Sequence, residues 1–339
     1  MSGAADGVAK KLRRMEEMLG DDMRSEERET AMVFCNSIAK ARAAVAKQRD
    51  GSGLPADAYD VMHSKLTPAA KRVLLERFME GRLHALTGTS IMQMGIDKPG
   101  VRRVMFAQLP LSLIELYQGM GRAGRGSAEL AFIDLFLDAT CLSGNLSLIA
   151  GDPIGLADFT AVIEFVVDMV NCKHNFISEA LGDAKRPVRA RPRRGCCSAC
   201  SGLYLNNAPL QQLDVTAQVV AICATIEHLA WTTGKAPTFS ALLKAPRSSP
   251  LGDWAGNERR WTPEARAHLI LSLVGLRAVR ILRFASLEPD ASAAPPGFRT
   301  YNYPSAPLAV NPDALAEYVH SARRIVLNFP AAIYPRRIL

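Results

Sequence analysis

The residues best spaced for chemistry are two arginines set among glycines, in Tyr117-Gln118-Gly119-Met120-Gly121-Arg122-Ala123-Gly124-Arg125-Gly126. Glycines let the backbone turn tightly, so two guanidiniums can point the same way. A nucleoside triphosphate whose γ-phosphoryl is leaving needs fixed positive charge at its equatorial oxygens, and a rigid arginine supplies it without reorganising. Arg122 and Arg125 are therefore candidate arginine fingers, although the same decapeptide also fits a Gly/Arg-rich surface turn. Upstream, the stretch Thr87-Gly88-Thr89-Ser90-Ile91-Met92-Gln93-Met94-Gly95-Ile96-Asp97-Lys98-Pro99 follows an apolar run. Thr89, Ser90 and Asp97 make a hydroxyl-rich, carboxylate-ended loop that could touch a nucleic-acid backbone on one side and a nucleotide on the other. Read alone, it is equally an ordinary strand-to-helix turn.

A second group of reactive side chains lies further on. Cys197-Ser198-Ala199-Cys200 is a Cys-x-x-Cys pair, whose two-residue gap lets both thiolates reach one tetrahedral Zn²⁺ at about 2.3 Å. The chain has seven cysteines and shows no secretory signal, which points to a reducing compartment where clustered cysteines more often bind metal than pair. Cys35, Cys141 and Cys223 sit in apolar runs and are expected to be core thiols. With Lys+Arg 41 against Asp+Glu 33, the formal charge of +8 favours a polyanionic partner. The basic density is greatest between Lys185 and Arg194, a run that fits phosphate contacts or a solvated linker. At 48% hydrophobic and 22% charged, the composition is that of a globular protein, and its apolar stretches are too short for a membrane span. No membrane partner is expected.

The elements that must position these residues follow from periodicity. Helices are predicted over Lys10–Leu19, Ile38–Gln48, Pro68–Met79 (with Thr67 as N-cap) and Ile114–Met120. Between them lie short apolar strands at Ala31–Cys35, Asp60–Met62, His84–Leu86, Arg103–Phe106 and Leu130–Phe136. Such alternation implies a parallel sheet covered on both faces. Beyond Gly151 the pattern turns helical, with Leu156–Asn171 first. The tail then gives helices Val215–Trp231, Phe239–Lys244 and Pro263–Leu276, candidate strands Val279–Phe284 and Thr300–Tyr303, and a last helix Asn311–Val326. Three domains are expected: an α/β lobe over 1–146, a helical and cysteine-rich segment over 147–205, and a three-helix, hairpin-bearing unit over 206–339.

Taken in order, Ala31–Cys35 with Asn36-Ser37, then His63-Ser64-Lys65-Leu66, then Met94–Pro99, then Gln118–Arg125, resemble the second RecA-like lobe of superfamily 2 helicases. Met-Gly-Ile-Asp-Lys-Pro followed by Gln-x-x-Gly-Arg-Ala-Gly-Arg is similar to the RecQ variant of that pattern. The resemblance implies that Gln118, Arg122 and Arg125 form the sixth helicase motif, which senses and stabilises ATP bound with Mg²⁺ between two lobes. It places Gly95 and Asp97 in the fifth motif, which couples that ATP to DNA, and implies nucleic-acid contacts at Ser37, His63, Thr89 and Ser90. This chain departs from the pattern at Ile91, Met92 and Gln93, where small or aromatic residues and a glycine are usual, and at Gly126, where an acid is usual.

Cys172-Lys173-His174 through Leu181-Gly182-Asp183 resembles the helix that carries the first zinc ligand in RecQ proteins. The family's remaining cysteine falls at Arg194 here, so Cys196 or His174 would have to substitute; the expected set is Cys172, Cys196, Cys197 and Cys200. The tail from about Leu213 resembles the family's winged helix. Arg259, Arg260 and Arg266 flank the start of its expected recognition helix, and Phe298 and Tyr301 fall either at a strand-separating hairpin tip or in the wing core.

The 339 residues contain neither a Gly-x-x-x-x-Gly-Lys-[Ser/Thr] loop nor an Asp-Glu pair to hold Mg²⁺. The expectation is the C-terminal half of a 3′-to-5′ DNA helicase of repair or recombination, from which the first lobe is missing, as in a fragment or a truncated relative. Alone it would be inactive; a first RecA-like lobe in cis or trans and DNA, single-stranded or at duplex junctions, would be its partners. A non-catalytic DNA-binding module and a decayed remnant are the competing readings. The resemblance implies residence in the nucleus if the source is eukaryotic, and otherwise in the cytoplasm with DNA.

Overall fold

The computed structural model describes residues 30–51, 55–93, 95–126, 130–136, 145, 148–149, 152–183, 196–201, 203–204, 208–243, 263–281, 308–314, 316 and 324–330. The chain divides into two compact units, residues 1–138 and 139–339.

In the first unit, β1 (Thr30–Phe34), β2 (Tyr59–Met62), β3 (Ala85–Gly88), β4 (Val101–Phe106) and β5 (Phe132–Leu135) form one sheet in the order β2-β3-β1-β4-β5. Every neighbouring pair is parallel. This is the parallel α/β lobe that the alternating pattern predicts, and it agrees with the RecA-like fold that the resemblance implies. Central β1 is buried at all five positions, and its side chains alternate between two cores. Ala31 and Val33 pack with Ala41, Ala44 and Val45 of α1 (Ile38–Gly51). Phe34 faces the other way and stacks on Phe106 at 5.2 Å. There it meets α3 (Leu113–Met120), which approaches so closely that a Cβ on Gly119 would lie 2.5 Å from Phe106 Cζ.

Local signals explain the helix starts. Thr67 Oγ1 accepts from Ala70 N at 3.2 Å to open α2 (Pro68–Met79), the expected cap and the expected span. Ser112 Oγ accepts from Glu115 N at 3.1 Å to open α3. Strand β3 runs two residues past its expected end because Gly88 continues the ladder against both Phe34 and Met62 rather than starting a turn. The expected helix Lys10–Leu19 lies outside the described residues.

The second unit contains α4 (Pro153–Val167), α5 (Lys173–Ala180), the short α6 (Ser198–Ser201), α7 (Thr216–Thr233), α8 (Phe239–Leu243) and α9 (Pro263–Gly275). Helix α4 starts and ends earlier than its apolar pattern predicts. Asp152 caps its first turn through Ile154 N at 3.0 Å. Beyond Val167, the Asp168 carboxylate accepts from Val170 N, Asn171 N and Asn171 Nδ2 at 3.1, 3.0 and 2.8 Å, a turn that diverts the chain from helix.

The strands β6 (Leu203–Tyr204), β7 (Ala208–Asp214) and β10 (Val326–Pro330) form an antiparallel sheet in the order β10-β7-β6. Strand β8 (Val279–Ile281) pairs antiparallel with β9 (Leu308–Val310). Two expectations are corrected here. The partner of β8 is β9, whereas the expected partner Thr300–Tyr303 lies outside the described residues. The expected helix Asn311–Val326 cannot run to its end, because Val326 opens β10, paired with Asp214. Helix α9 crosses α4 closely enough that a Cβ on Gly275 would lie 2.6 Å from Val167 Cγ2, and residues 265–274 are buried without a break.

Candidate nucleotide, nucleic-acid and metal sites

The parallel sheet places the candidate residues on two edges. Ser37 follows β1, His63 follows β2, and Thr89 and Ser90 follow β3, so all four lie at the carboxyl ends of the strands, where open α/β sheets form their sites. The Arg122–Arg125 turn lies at the opposite edge, where Gly124 N donates to Val101 O at the start of β4 (2.9 Å) and Gly100 N donates to Arg125 O (3.3 Å). A short 3-10 helix, Ser90–Gln93, and the loop after it run from one edge to the other in place of an α-helix.

At the arginine edge the two glycine-flanked motifs meet. Arg122 Nη1 donates to Ile96 O at 2.8 Å, and Arg125 Nη1 donates to Asp97 Oδ1 at 2.8 Å. Arg125 Nε also donates to Gly121 O at 2.6 Å. Burial and the adjacent Arg125 guanidinium hold Arg122 below the ordinary arginine range, with Asp97 opposing. Gly95 has φ +79 and Gly124 φ +69, left-handed backbone that glycine adopts without strain. Gln118 is exposed on α3, one turn before Arg122.

The departures from the helicase pattern have local causes. Gly126 has φ +67, so an acidic side chain there would be strained. Met92 is fully buried, and a Cβ on Gly88 would lie 2.8 Å from its Sδ; it fills the space beside that glycine.

Two residues at this site carry interactions to which the sequence assigned no role. Lys98, next to Asp97, is a buried ammonium that donates to Met79 O at 3.2 Å and lies 5.4 Å from the centroid of Phe78. Its burial lowers its pKa. Ile96 contributes only its carbonyl, which no side-chain pattern could reveal. At the carboxyl edge, Asn36 Nδ2 donates to Leu109 O (2.8 Å) and Asn36 N donates to Gln108 Oε1 (3.0 Å), fixing the turn that carries Ser37. His63 is buried beside Arg42, whose Nη2 lies 3.4 Å from His63 Nε2. Burial first, then the charges of Arg42, Lys65 and Lys71, lower its pKa.

In the second unit, the sulfurs of Cys172, Cys196, Cys197 and Cys200 all lie within 4.8 Å of one another. Cys172 stands at the N-terminus of α5, while Cys197 and Cys200 flank the first turn of α6, where Cys200 N donates to Cys197 Sγ at 3.4 Å. A tetrahedral Zn²⁺ with bonds of about 2.3 Å sets its sulfurs about 3.8 Å apart. Cys172 and Cys196 stand at 3.8 Å, so the donor set fits such an ion with little rearrangement. His174 Nδ1 lies 4.0 Å from Cys196 Sγ. Lys173 anchors this corner from inside, its ammonium donating to the carbonyls of Phe165 and Asp168 and lying 4.8 Å from the Phe165 centroid.

Cys35 and Cys223 are buried thiols, as their apolar runs predict, and burial, then the charge of Glu227, pushes Cys223 up to about 11. Cys141, the basic run 185–194, Arg259, Arg260, Phe298 and Tyr301 lie outside the described residues. Arg266, expected to face phosphate, is 8% exposed within the buried run of α9, so the structure does not present it to a nucleic acid. No helix among the described residues is long and apolar enough to cross a membrane.

Comparison with known proteins bears on the first unit most directly. Residues 10–127 match the helicase conserved C-terminal domain. A Caenorhabditis briggsae protein named for ATP-dependent DNA helicase Q1 is 26% identical over 199 residues, 59% of this chain and 31% of that protein. The ATP-dependent DNA helicase RecQ of Synechocystis is 37% identical over 73 residues, 22% of this chain and 15% of that one. The chain thus spans less than a third of the length of these relatives. A structure of yeast Dbp5 bound to RNA and ADP BeF3 shares 22% identity over 41% of this chain and 36% of that one, with a TM-score of 0.34. With the Met94–Pro99 and Gln118–Arg125 stretches folded against each other, the first unit carries the match to the helicase conserved C-terminal domain, and over that part the chain is similar to RecQ-like DNA helicases.

Proposed function

We propose that this chain works as the second lobe of an ATP-dependent 3′-to-5′ DNA helicase of repair or recombination, and that it hydrolyses ATP only with a first RecA-like lobe in cis or trans. The observation that carries this reading is the clasp in which Arg122 holds Ile96 O and Arg125 holds Asp97. It fixes two cationic groups in one place, as stabilisation of a triphosphate requires. ATP with Mg²⁺ would supply the phosphoanhydride bond. Arg122 and Arg125 would face its phosphates, Gly95 and Asp97 would hold the loop beneath them, and Gln118 would stand at the rim. The loop from Ser90 to Asp97 would couple this edge to DNA held by Ser37, Thr89 and Ser90, with His63, buried like Arg266, behind them rather than in contact.

The cysteine cluster supports a structural zinc bound by Cys172, Cys196, Cys197 and Cys200. The tail from residue 206 is proposed to be a winged helix, with α7, α8 and α9 as its helices and β8 and β9 as the base of its wing. Arg259 and Arg260 would contact phosphate, and a eukaryotic source would place the protein in the nucleus. The deciding experiment is DNA-stimulated ATP hydrolysis by the purified chain, alone and with an added first lobe. Turnover that needs both parts and is lost in Arg122→Ala and Arg125→Ala is the expected result. Turnover by the chain alone would refute the two-part reading, and salt-sensitive DNA binding with no turnover in either case would favour a non-catalytic DNA-binding module.

A further inference from the structure

The cysteine corner offers five donors where a tetrahedral ion takes four, and they are not equally held. Cys172 is fixed as the N-cap of α5, where its carbonyl accepts from Phe176 N at 3.0 Å. Cys197, just before α6, accepts the Cys200 N–H at 3.4 Å, and the two stand three residues apart across the first turn, a spacing that turns both side chains to one side. Cys196 differs. It immediately precedes Cys197, and adjacent side chains diverge in helix and strand alike, so two neighbouring thiolates reach one ion only if the backbone between them is specially bent. The groups described around the Cys196 sulfur are side chains: Cys172 Sγ at 3.8 Å, Cys200, and His174 Nδ1 at 4.0 Å.

His174 is on the first turn of α5, two residues beyond Cys172, and is exposed, so its imidazole can rotate without disturbing a core. A nitrogen ligand needs about 2.0–2.1 Å to Zn²⁺. The corner occupied by the Cys196 sulfur is only 4.0 Å from Nδ1, a distance within the sweep of a side-chain rotation.

We propose that Cys196 is an exchangeable ligand and His174 its replacement, so that the site holds a divalent metal either by four cysteines or by Cys172, Cys197, Cys200 and His174. The proposal rests on the zinc reading above and adds the second ligand set to it. Exchange is a substitution at the metal: the Cys196 thiolate leaves and takes up a proton from water while the neutral imidazole nitrogen binds, with no change of oxidation state. The metal corner would then tolerate loss or capping of one thiol without releasing its ion.

The test is Co²⁺ titration of the full purified, metal-stripped chain, read by the visible absorption of tetrahedral cobalt and by thiolate-to-cobalt charge transfer. The native chain is expected to show four thiolates bound. Cys196→Ser should keep a tetrahedral spectrum with the charge-transfer intensity of three thiolates, its affinity falling no more than the roughly 10–100-fold of a lost supporting group. The double variant Cys196→Ser/His174→Ala should lose tetrahedral cobalt, while His174→Ala alone stays close to native. Cys200→Ser, for which no replacement stands nearby among the described residues, should lose it by itself. Far-UV circular dichroism of each variant separates failed folding from failed binding. The proposal is overturned if folded Cys196→Ser loses tetrahedral cobalt as Cys200→Ser does, or if adding His174→Ala changes nothing. A native chain that takes up no cobalt would remove the zinc reading itself, and the ligand exchange with it.

Discussion

Gly119→Ala sets two opposing effects against each other, and the structure decides between them. In the interior of an exposed helix, replacing glycine by alanine stabilises by about 1 kcal/mol. Gly119, however, is buried in α3 against the second core, and the new methyl would lie 2.5 Å from Cζ and 2.9 Å from Cε1 of Phe106. That ring is 1% exposed and stacked on Phe34 at 5.2 Å, so it has no open space to yield into. Overpacking of this kind costs about 1–3 kcal/mol, and a rigid ring places it in the upper part of that range. The net expectation is a loss of about 1–2 kcal/mol from the first unit, which lowers the urea midpoint by roughly 0.5–1 M. All three tryptophans, Trp231, Trp254 and Trp261, lie in the second unit, so circular dichroism should show the shift while tryptophan fluorescence keeps its midpoint. Phe106→Leu makes room at the clash, and in that background the alanine should cost nothing or stabilise. A Gly119→Ala chain that is more stable than the native one, with the same gain in the Phe106→Leu background, would refute the close-packing argument.

Arg277 is in the left-handed region (φ +58) and donates to Glu164 at 3.0 Å; Arg277→Ala keeps the strain and loses only an exposed ion pair, so it should cost about 0.2–1 kcal/mol, whereas Arg277→Gly also relieves the strain and should be near neutral or stabilising, as thermal melts of both would show. His63 has a lowered pKa in the folded chain, so the unfolded chain binds more protons below its ordinary value of 6.5. Stability should therefore fall as pH drops from that value toward the folded pKa, by at most about 1.4 kcal/mol per pH unit, and His63→Gln should flatten the dependence in urea titrations; an unchanged slope would count against a buried neutral imidazole. Thr67→Ala removes the cap of α2 and should cost about 1 kcal/mol, with the urea midpoint as the measure.

The first unit was legible because its cues are local. Alternating apolar runs fixed the strands of the parallel sheet, Thr67 fixed the start of α2, and glycine spacing around Arg122 and Arg125 marked the turn. What the sequence could not show are contacts made through backbone atoms or across many residues, such as the Ile96 carbonyl under Arg122 and the lysine peg at Lys98. The tail was harder. Strand β7 reads Ala-Pro-Leu-Gln-Gln-Leu-Asp, which has no clean alternation, and its partner β10 lies over a hundred residues on, where a helical pattern dominated the reading. Arg266 misled for a simpler reason: an arginine near the start of a helix suggests a phosphate contact, and burial of that helix is invisible until its neighbours are placed.

The position of β1 at the centre of its sheet has a consequence for synthesis. Its partners β3 and β4 are both made later, the nearer in sequence about fifty residues on. At translation rates of about 5–20 residues per second, the apolar run Met32-Val33-Phe34 leaves the ribosome and waits several seconds before either hydrogen-bonded neighbour exists. During that interval its two bare edges and two greasy faces must be shielded by a chaperone or by the amphipathic α1 folding back over one face. Crowded expression at high temperature would thus trap this protein at its central strand, before the sheet around it is made.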